Sequence, residues 1–224
     1  LIATHDFVDY PPETANLERV GGAFALNLEQ IVQLEPDLVY TFFDRFVPNL
    51  EKLGLKVLYI KSLNGTLADV TEHFYLWGQI TGNTQAARDE VAKFDSRLAV
   101  IRAKLNDISS GPRVYHHTAD FWAPGGDTLI GNIYELLKVD LVTKEISGFA
   151  QINPEEIVAK EPEVIVTDQF ALQQIENTHA LLQIPAVKDG RVAVLHKGSL
   201  SVAGPRLLDA IEELAEIMYP DLFP

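Results

Sequence analysis

The sequence predicts an α/β protein of two related lobes with mostly parallel sheets, joined by one long helix. Three observations predict this class. Short apolar runs alternate with helical patterns, one 14-residue phrase occurs twice, and a long amphipathic segment separates the two copies. The 224 residues suffice for one large domain or for two lobes of about 100 residues each.

Five short apolar runs are the predicted strands. They are LVYTFF (38–43), KVLYI (56–60), RVYHH (113–117), EVIVTD (163–168) and RVAVLH (191–196). Most are followed by a helical pattern, and this alternation predicts βα units whose parallel sheets are covered on both faces.

The middle of the chain predicts one long helix. Residues 83–107 contain no proline or glycine, and apolar side chains recur there at three- and four-residue steps: Val91, Phe94, Leu98, Ile101 and Leu105. We expect an N-terminal lobe at 1–82, a connecting helix at 83–108 and a C-terminal lobe at 109–224. An ordinary surface helix in one continuous domain is the alternative.

The repeated phrase is NLEQIVQLEPDLVY at residues 27–40 and NPEEIVAKEPEVIV at residues 153–166, with six identities in 14 positions. Chance would give roughly one identity, so the chain reads as two related halves. In each copy the asparagine is the predicted helix N-cap, with a capping-box residue three positions on, and the Ile-Val pair is expected in the core.

One residue in each copy has no evident structural duty. Glu29 and Glu155 fall at the second position of the predicted helices, where we expect them to face solvent. A first-turn glutamate complements the helix dipole, by about 0.3–1 kcal/mol, and the sequence alone favours that interpretation.

Composition excludes several classes of function. The net charge of −14 argues against nucleic-acid binding, which needs a basic surface. The chain has no cysteine, so disulfides, zinc-thiolate sites and thiol catalysis are excluded. Its apolar runs are all shorter than the roughly 18–20 residues of a membrane-spanning helix. We find no nucleotide-binding, nucleophile-elbow or zincin motif, so no enzyme is predicted.

Five stretches are typical of one known family: THDFVDYPPE, LERVGG and NLEQIVQLEPDLVY near the start, and LLQIPAVKDGRVAVL and GPRLLDAIEELAEIMYP near the end. Together they resemble the cluster III substrate-binding proteins of ABC importers. That family includes vitamin B12-binding, ferric-siderophore and haem receptors. The resemblance covers essentially the whole chain, and it is strong for the family and weak for the ligand.

The resemblance implies two α/β lobes joined by a rigid helix, with a ligand cleft between the lobes. It implies a periplasmic protein or cell-surface lipoprotein that delivers a metal chelate, such as a corrinoid or a ferric siderophore, to an ABC permease in the membrane. Glu29 and Glu155 would then dock on the permease. No cofactor, no resident metal and no nucleic acid are expected, and the protein is expected to be a monomer. A haem-binding or metal-ion-binding protein of the same fold, or a sensor without a permease, is the alternative.

This sequence departs from the family pattern in two places. A first strand and helix typical of the family do not occur in the residues given, so we expect either an N-terminal lobe with exposed core or another segment in their place. We expect preceding sequence, including a targeting segment, to lie outside the residues given. The aromatic residue that vitamin B12-binding members of the family have before D-Y-P-P is kept as Phe7, whereas their cleft tryptophan shortly before N-L-E is replaced by Ala23 with Phe24 beside it. These residues therefore do not predict cobalamin as the specific ligand.

Ligands of open α/β sheets meet the loops at the carboxyl ends of the strands. That rule and the resemblance give these ligand-binding candidates: Phe7, Tyr10, Phe24, Phe43, Arg45, His117, Trp122, Phe170 and Ser199. Aromatic side chains suit a large flat ligand. Core packing is the alternative for Phe170. Adjacent strand residues face opposite sides, so at most one of His116 and His117 would face the cleft. Cations are sparse, with Arg45, Lys61 and Lys197 as the candidates, which favours a near-neutral ligand.

Overall fold

The computed structural model describes residues 1–8, 10–22, 24–60, 65–196, 200 and 203–224. Its contacts divide the chain into two compact units, Leu1–Ser62 and Leu63–Pro224, called unit 1 and unit 2. Five of the six strand pairings in the described ranges are parallel. The predicted class, α/β with mostly parallel sheets, is confirmed.

Unit 1 contains short strands in two parallel pairs. Its elements are β1 (Ala3–Thr4), β2 (Glu18–Arg19), α1 (Leu28–Gln33), β3 (Val39–Thr41), α2 (Val47–Lys52) and β4 (Val57–Tyr59). β1 pairs with β2, and β3 pairs with β4. Apolar side chains remain exposed on this unit, among them Leu38, Tyr40 and Tyr59.

Unit 2 is built on a four-stranded parallel sheet. Its elements are α3 (Leu67–Thr81), α4 (Thr84–Lys104), β5 (Arg113–His116), β6 (Trp122–Pro124), α5 (Leu129–Leu136), β7 (Asp140–Leu141), β8 (Phe149–Gln151), α6 (Pro154–Lys160), β9 (Val164–Thr167), α7 (Leu172–Asn177), α8 (Pro185–Lys188), β10 (Val192–Val194) and α9 (Leu207–Met218). The sheet has the order β10-β9-β5-β7, and β6 and β8 form a separate antiparallel ribbon. All five strands predicted from the sequence are present.

The core of unit 2 lies on both faces of this sheet. Val114, Val164 and Val166 face one cluster, which they share with α4, α5 and α9. Tyr115 and Ile165 face a second cluster, which they share with α6 and α7. Because successive strand residues point to opposite faces, strands buried on both sides read as the continuous apolar runs seen in the sequence.

The predicted long helix is α4, and all five of its periodic apolar side chains are buried. It packs against α3, where Phe94 meets Phe74 edge to face at 5.9 Å, and against α9, where Arg97 donates to Asp209 and Glu212. By its contacts α4 belongs to unit 2, as does α3. The division into lobes at 1–82 and 109–224 with a connecting helix therefore stays a prediction.

The repeated phrase forms the same local structure twice. Asn27 caps α1 and Asn153 caps α6, each by accepting a backbone N–H at 3.1 Å. Each helix is followed by a glutamate with φ of 46°, Glu35 or Glu161, that lies directly before a proline and a strand. The expectation that both Ile-Val pairs are buried is wrong for Val32, which is exposed because α1 buries only one side chain.

Candidate functional site

Two aromatic side chains of unit 1 line a groove of about 450 Å³ that follows β1 and β2. Phe7 is 76% exposed and Phe24 is 91% exposed, so neither ring is held by a core. Gly21 has a φ of 106°, and an added Cβ on Gly22 would lie 3.2 Å from the Phe7 ring. Asp6 also lines this groove. The glycine pair therefore allows the Phe7 ring to lie close to the backbone, which suits a flat apolar ligand surface.

A second aromatic group of unit 1 follows β3. The guanidinium carbon of Arg45 lies 4.7 Å from the ring centre of Phe43 and 5.0 Å from that of Phe46. The two rings meet edge to face at 5.9 Å. Tyr10, the remaining aromatic candidate of this unit, is also exposed. Arg45 therefore makes cation–π contacts with both rings.

In unit 2 an unusual turn presents Trp122. Asp120 and Phe121 have φ of 56° and 60°, a conformation that side chains other than glycine adopt at a cost. Two backbone hydrogen bonds stabilise this turn. The Phe121 carbonyl accepts the Ile152 N–H at 2.9 Å, and the Trp122 carbonyl accepts the Thr118 N–H at 2.9 Å. Trp122 remains 45% exposed.

Phe170 lies beyond β9 and is 94% exposed. The Asp168 carboxylate accepts the backbone N–H groups of Phe170 and Ala171, both at 2.8 Å, and so fixes the turn that carries the ring. The sequence alternative of core packing for Phe170 is wrong, because this exposure leaves the ring no core to enter.

The two adjacent histidines point to opposite faces of the sheet, as predicted, and both are buried. His116 lies 2.8 Å from the Tyr134 hydroxyl, and burial lowers its pKa to about 4. His117 contacts the Tyr115 hydroxyl at 3.2 Å, its Nε2 has no hydrogen-bond partner among the described residues, and burial lowers its pKa as well. A ligand contact at His117 stays a prediction that requires the side chains around it to move.

Glu29 and Glu155 are both exposed at the second position of α1 and α6. Glu29 has only a long contact, 3.5 Å, from Gln33, and the Glu155 carboxylate has no partner in the described ranges. The free carboxylates remain available to a partner, in line with the docking role that stays a prediction.

Two further residues near these loops are not among the candidates predicted from the sequence. Arg19 reaches back from β2 to the loop that carries Phe7. Glu213, buried on α9, accepts the His196 N–H at 2.9 Å with both carboxylate oxygens. A buried acid inside an apolar helix pattern was a visible signal for Glu213, whereas nothing in the spacing marks Arg19.

Some candidates lie outside the described residues, namely Ser199, Lys61 and Lys197, and Ala23 does as well. Among the residues that the structure describes, no three or more histidine, aspartate or glutamate side chains are grouped so that they could hold a metal ion. Each helix in the described ranges is too short or too polar to span a lipid bilayer.

Comparison with known proteins identifies the family. Residues 2–198 match the family model described as "Periplasmic binding protein". The chain therefore belongs to the periplasmic binding protein family, a family of binding proteins, and the resemblance found in the sequence is confirmed.

Individual relatives agree with this assignment. The chain is 28% identical to an uncharacterized ABC transporter substrate-binding lipoprotein, YvrC, of Bacillus subtilis, over 99% of this chain and 73% of that protein. It is 26% identical to a cobalamin-binding protein of Halobacterium salinarum, over 98% of this chain and 63% of that protein. Among solved structures, the periplasmic vitamin B12 binding protein BtuF of Vibrio cholerae superposes with a TM-score of 0.82 at 22% identity, over 97% of this chain and 87% of that chain.

Proposed function

We propose that this protein is the substrate-binding component of an ABC importer and that it carries a near-neutral metal chelate of the corrinoid type. One observation carries the proposal: each unit exposes aromatic rings in or near its short strands. Phe7 and Phe24 lie in unit 1, and Trp122 and Phe170 lie in unit 2. Exposed aromatic side chains of this kind are the usual contacts of large flat ligands.

Charge near these rings supports a ligand without strong negative charge. Asp6 lines the groove beside Phe7 and Phe24, and its carboxylate would repel an anionic ligand. Arg45, the described cation among the candidates, is stacked on Phe43 and Phe46. A polyanionic ferric siderophore would be favoured by a cluster of arginines, because the guanidinium group suits the recognition of anionic oxygens. A corrinoid carries neutral amides around an apolar macrocycle, which suits aromatic faces with few cations.

Delivery to a permease is supported by the relatives and by the two glutamates. Glu29 and Glu155 occupy the same position in the two copies of the repeated unit and present carboxylates to solvent. A permease with arginines at matching positions would bind them by charge-assisted hydrogen bonds. In this role the protein acts outside the cytoplasm, as a periplasmic protein or a lipoprotein, and as a monomer.

Ligand titration of the full chain tests the proposal. Cyanocobalamin, haemin and a ferric hydroxamate are titrated by calorimetry against the wild type and against Phe170→Ala and Trp122→Leu. We expect cyanocobalamin to bind most tightly, and each variant to lose at least about fivefold in affinity because an aromatic contact is removed. Tyr75→Ala, which removes an exposed aromatic side chain from α3, is the matched control and should bind as the wild type does. Preferential binding of haemin, or equal losses in the control, would refute the corrinoid assignment.

The docking role has its own measurement with the same ligand. Glu29→Lys together with Glu155→Lys should abolish uptake through the cognate permease while cyanocobalamin affinity stays unchanged. Glu156→Lys reverses a neighbouring exposed charge on α6 and should leave uptake intact. Loss of ligand affinity in the double variant would count against a docking role.

A further inference from the structure

The loop between β1 and β2 carries Phe7 and Tyr10 but has little core of its own. Among its described residues, from His5 to Leu17, only Thr14 is buried. The strands on either side contain two residues each. Burial of apolar surface, the usual source of order in a loop, is therefore small here, and polar contacts must supply most of what fixes the loop.

One side chain supplies a large share of those contacts. The guanidinium of Arg19, on β2, donates three hydrogen bonds to backbone carbonyls of the loop. Nη1 reaches the carbonyls of His5 at 3.0 Å and Val8 at 2.9 Å, and Nη2 reaches the carbonyl of Thr14 at 3.2 Å. The three acceptors span both ends of the loop, so a single planar group closes it.

The geometry of this contact requires arginine. A guanidinium presents several N–H donors in a fixed plane, whereas the ammonium of lysine is a point charge that cannot reach three separated carbonyls at once. The positive charge of Arg19 is directed at carbonyl oxygens, whose partial negative charges it complements. Hydrogen bonds from a charged donor are stronger than neutral ones.

The same strand end also fixes the position of the Phe7 ring. Gly21 and Gly22 follow Arg19 by two and three residues, and the Gly21 carbonyl accepts the Asp6 N–H at 2.9 Å. Gly22 lies against the Phe7 ring. Arg19 donates to backbone carbonyls of the loop, and the glycine pair leaves space for the Phe7 ring. Together these contacts fix the position of Phe7 in the groove.

We propose that Arg19 is a positioning residue for ligand binding: its guanidinium clamps the His5–Thr14 backbone and thereby holds Phe7 and Tyr10 in place before the ligand arrives. This inference rests on the proposed function in one respect, since it takes Phe7 to be a ligand contact. A preformed loop spares the ligand the entropic cost of ordering it, so loss of the clamp weakens binding without removing any ligand contact.

Hydrogen exchange of the ligand-free full chain tests the clamp directly. In Arg19→Lys we expect amide exchange in peptides that cover residues 5–14 to accelerate by at least about tenfold, since loss of the charged hydrogen bonds to the loop carbonyls would open the loop. Peptides of unit 2 should exchange at the wild-type rate. The matched control is Arg88→Lys, which makes the same replacement at an exposed position of α4 and should change neither region. Unchanged exchange at 5–14 in Arg19→Lys would overturn the inference.

A double-mutant cycle on cyanocobalamin affinity separates positioning from general stability. If Arg19 acts through Phe7, then Arg19→Lys weakens binding about tenfold in the wild type and much less in a Phe7→Leu background. Combined with Phe170→Leu in unit 2, the same replacement should keep its full effect. Equal effects in the Phe7→Leu and wild-type backgrounds would reduce Arg19 to a structural role and overturn the inference.

The two hypotheses fail in different ways. A wild-type protein that binds none of cyanocobalamin, haemin and the ferric hydroxamate refutes the proposed function and the ligand-dependent part of this inference. The exchange measurement then still decides whether Arg19 holds the loop.

Discussion

The buried histidine of β5 makes the stability of unit 2 depend on pH in a direction that the structure fixes. His116 is buried between the sheet and Tyr134, and its pKa is lowered to about 4 first by burial and then by the nearby His117, while Asp168 acts in the opposite sense. The unfolded chain exposes the same imidazole, whose ordinary pKa is about 6.5. Between these two values the unfolded state binds a proton that the folded state does not.

The sign and size of the effect follow from this difference. Because the unfolded state binds more protons, the free energy of unfolding falls as the pH is lowered through 6.5 towards 4. A pKa difference of this size corresponds to a loss of about 3 kcal/mol by pH 4. His116→Gln removes the titrating group, so the variant should lack this part of the pH dependence.

Urea unfolding followed by tryptophan fluorescence measures the effect in the right part of the molecule, because both tryptophans, Trp77 and Trp122, lie in unit 2. The free energy of unfolding is determined from pH 7 to pH 4 for the wild type, for His116→Gln and for the control His179→Gln, which replaces an exposed histidine. The wild type and the control should lose about 3 kcal/mol more than His116→Gln over that range. Parallel pH profiles for all three proteins would refute the assignment of a buried, neutral His116.

Two further predictions concern the backbone of unit 2. Thr128, which caps α5, accepts the Gly131 N–H at 3.0 Å and donates to the Gly125 carbonyl at 2.8 Å. Thr128→Ala should lower the free energy of unfolding, measured in urea, by about 1–2 kcal/mol. Thr128→Ser keeps the hydroxyl and should lower it by much less. Equal losses in the two variants would show that the hydroxyl does not cap the helix. Asp120→Gly should stay within about 0.5 kcal/mol of the wild type, whereas Asp120→Val should lose about 1–2 kcal/mol because a β-branched residue resists the left-handed conformation. A valine tolerated as well as glycine would show that this conformation is not required.

The sequence predicted those parts of the fold that follow from local pattern. The five apolar runs contain strands, and the periodic segment contains α4, whose periodic apolar side chains are buried. The asparagine caps of the repeated phrase were equally predictable, since a cap depends only on residues within one turn. Short pairings such as β1 with β2, or the ribbon of β6 with β8, left no such pattern because they contain two or three residues each.

The candidate site was predictable only where it follows the ends of strands. Phe7 and Phe170 lie three residues after β1 and β9 and are both exposed, whereas Trp122 is the first residue of β6. The burial of His117 was not predictable, since it depends on Phe121 and on the turn that carries it. The contacts of Arg19 with backbone carbonyls could not be predicted from the sequence either, because every residue type has a backbone carbonyl.

The repeated helix–turn–strand unit gives this protein an internal replicate. Glu35 and Glu161 adopt the same φ of 46° at the same place in the two copies, one in each unit. A substitution made at either position meets the same local backbone but different surroundings, since α1 lies in the lightly packed unit 1 and α6 packs on the core of unit 2. Each substitution changes the free energy of unfolding, and the difference between the two changes gives the contribution of the surrounding residues. Measuring this contribution normally requires two separate proteins.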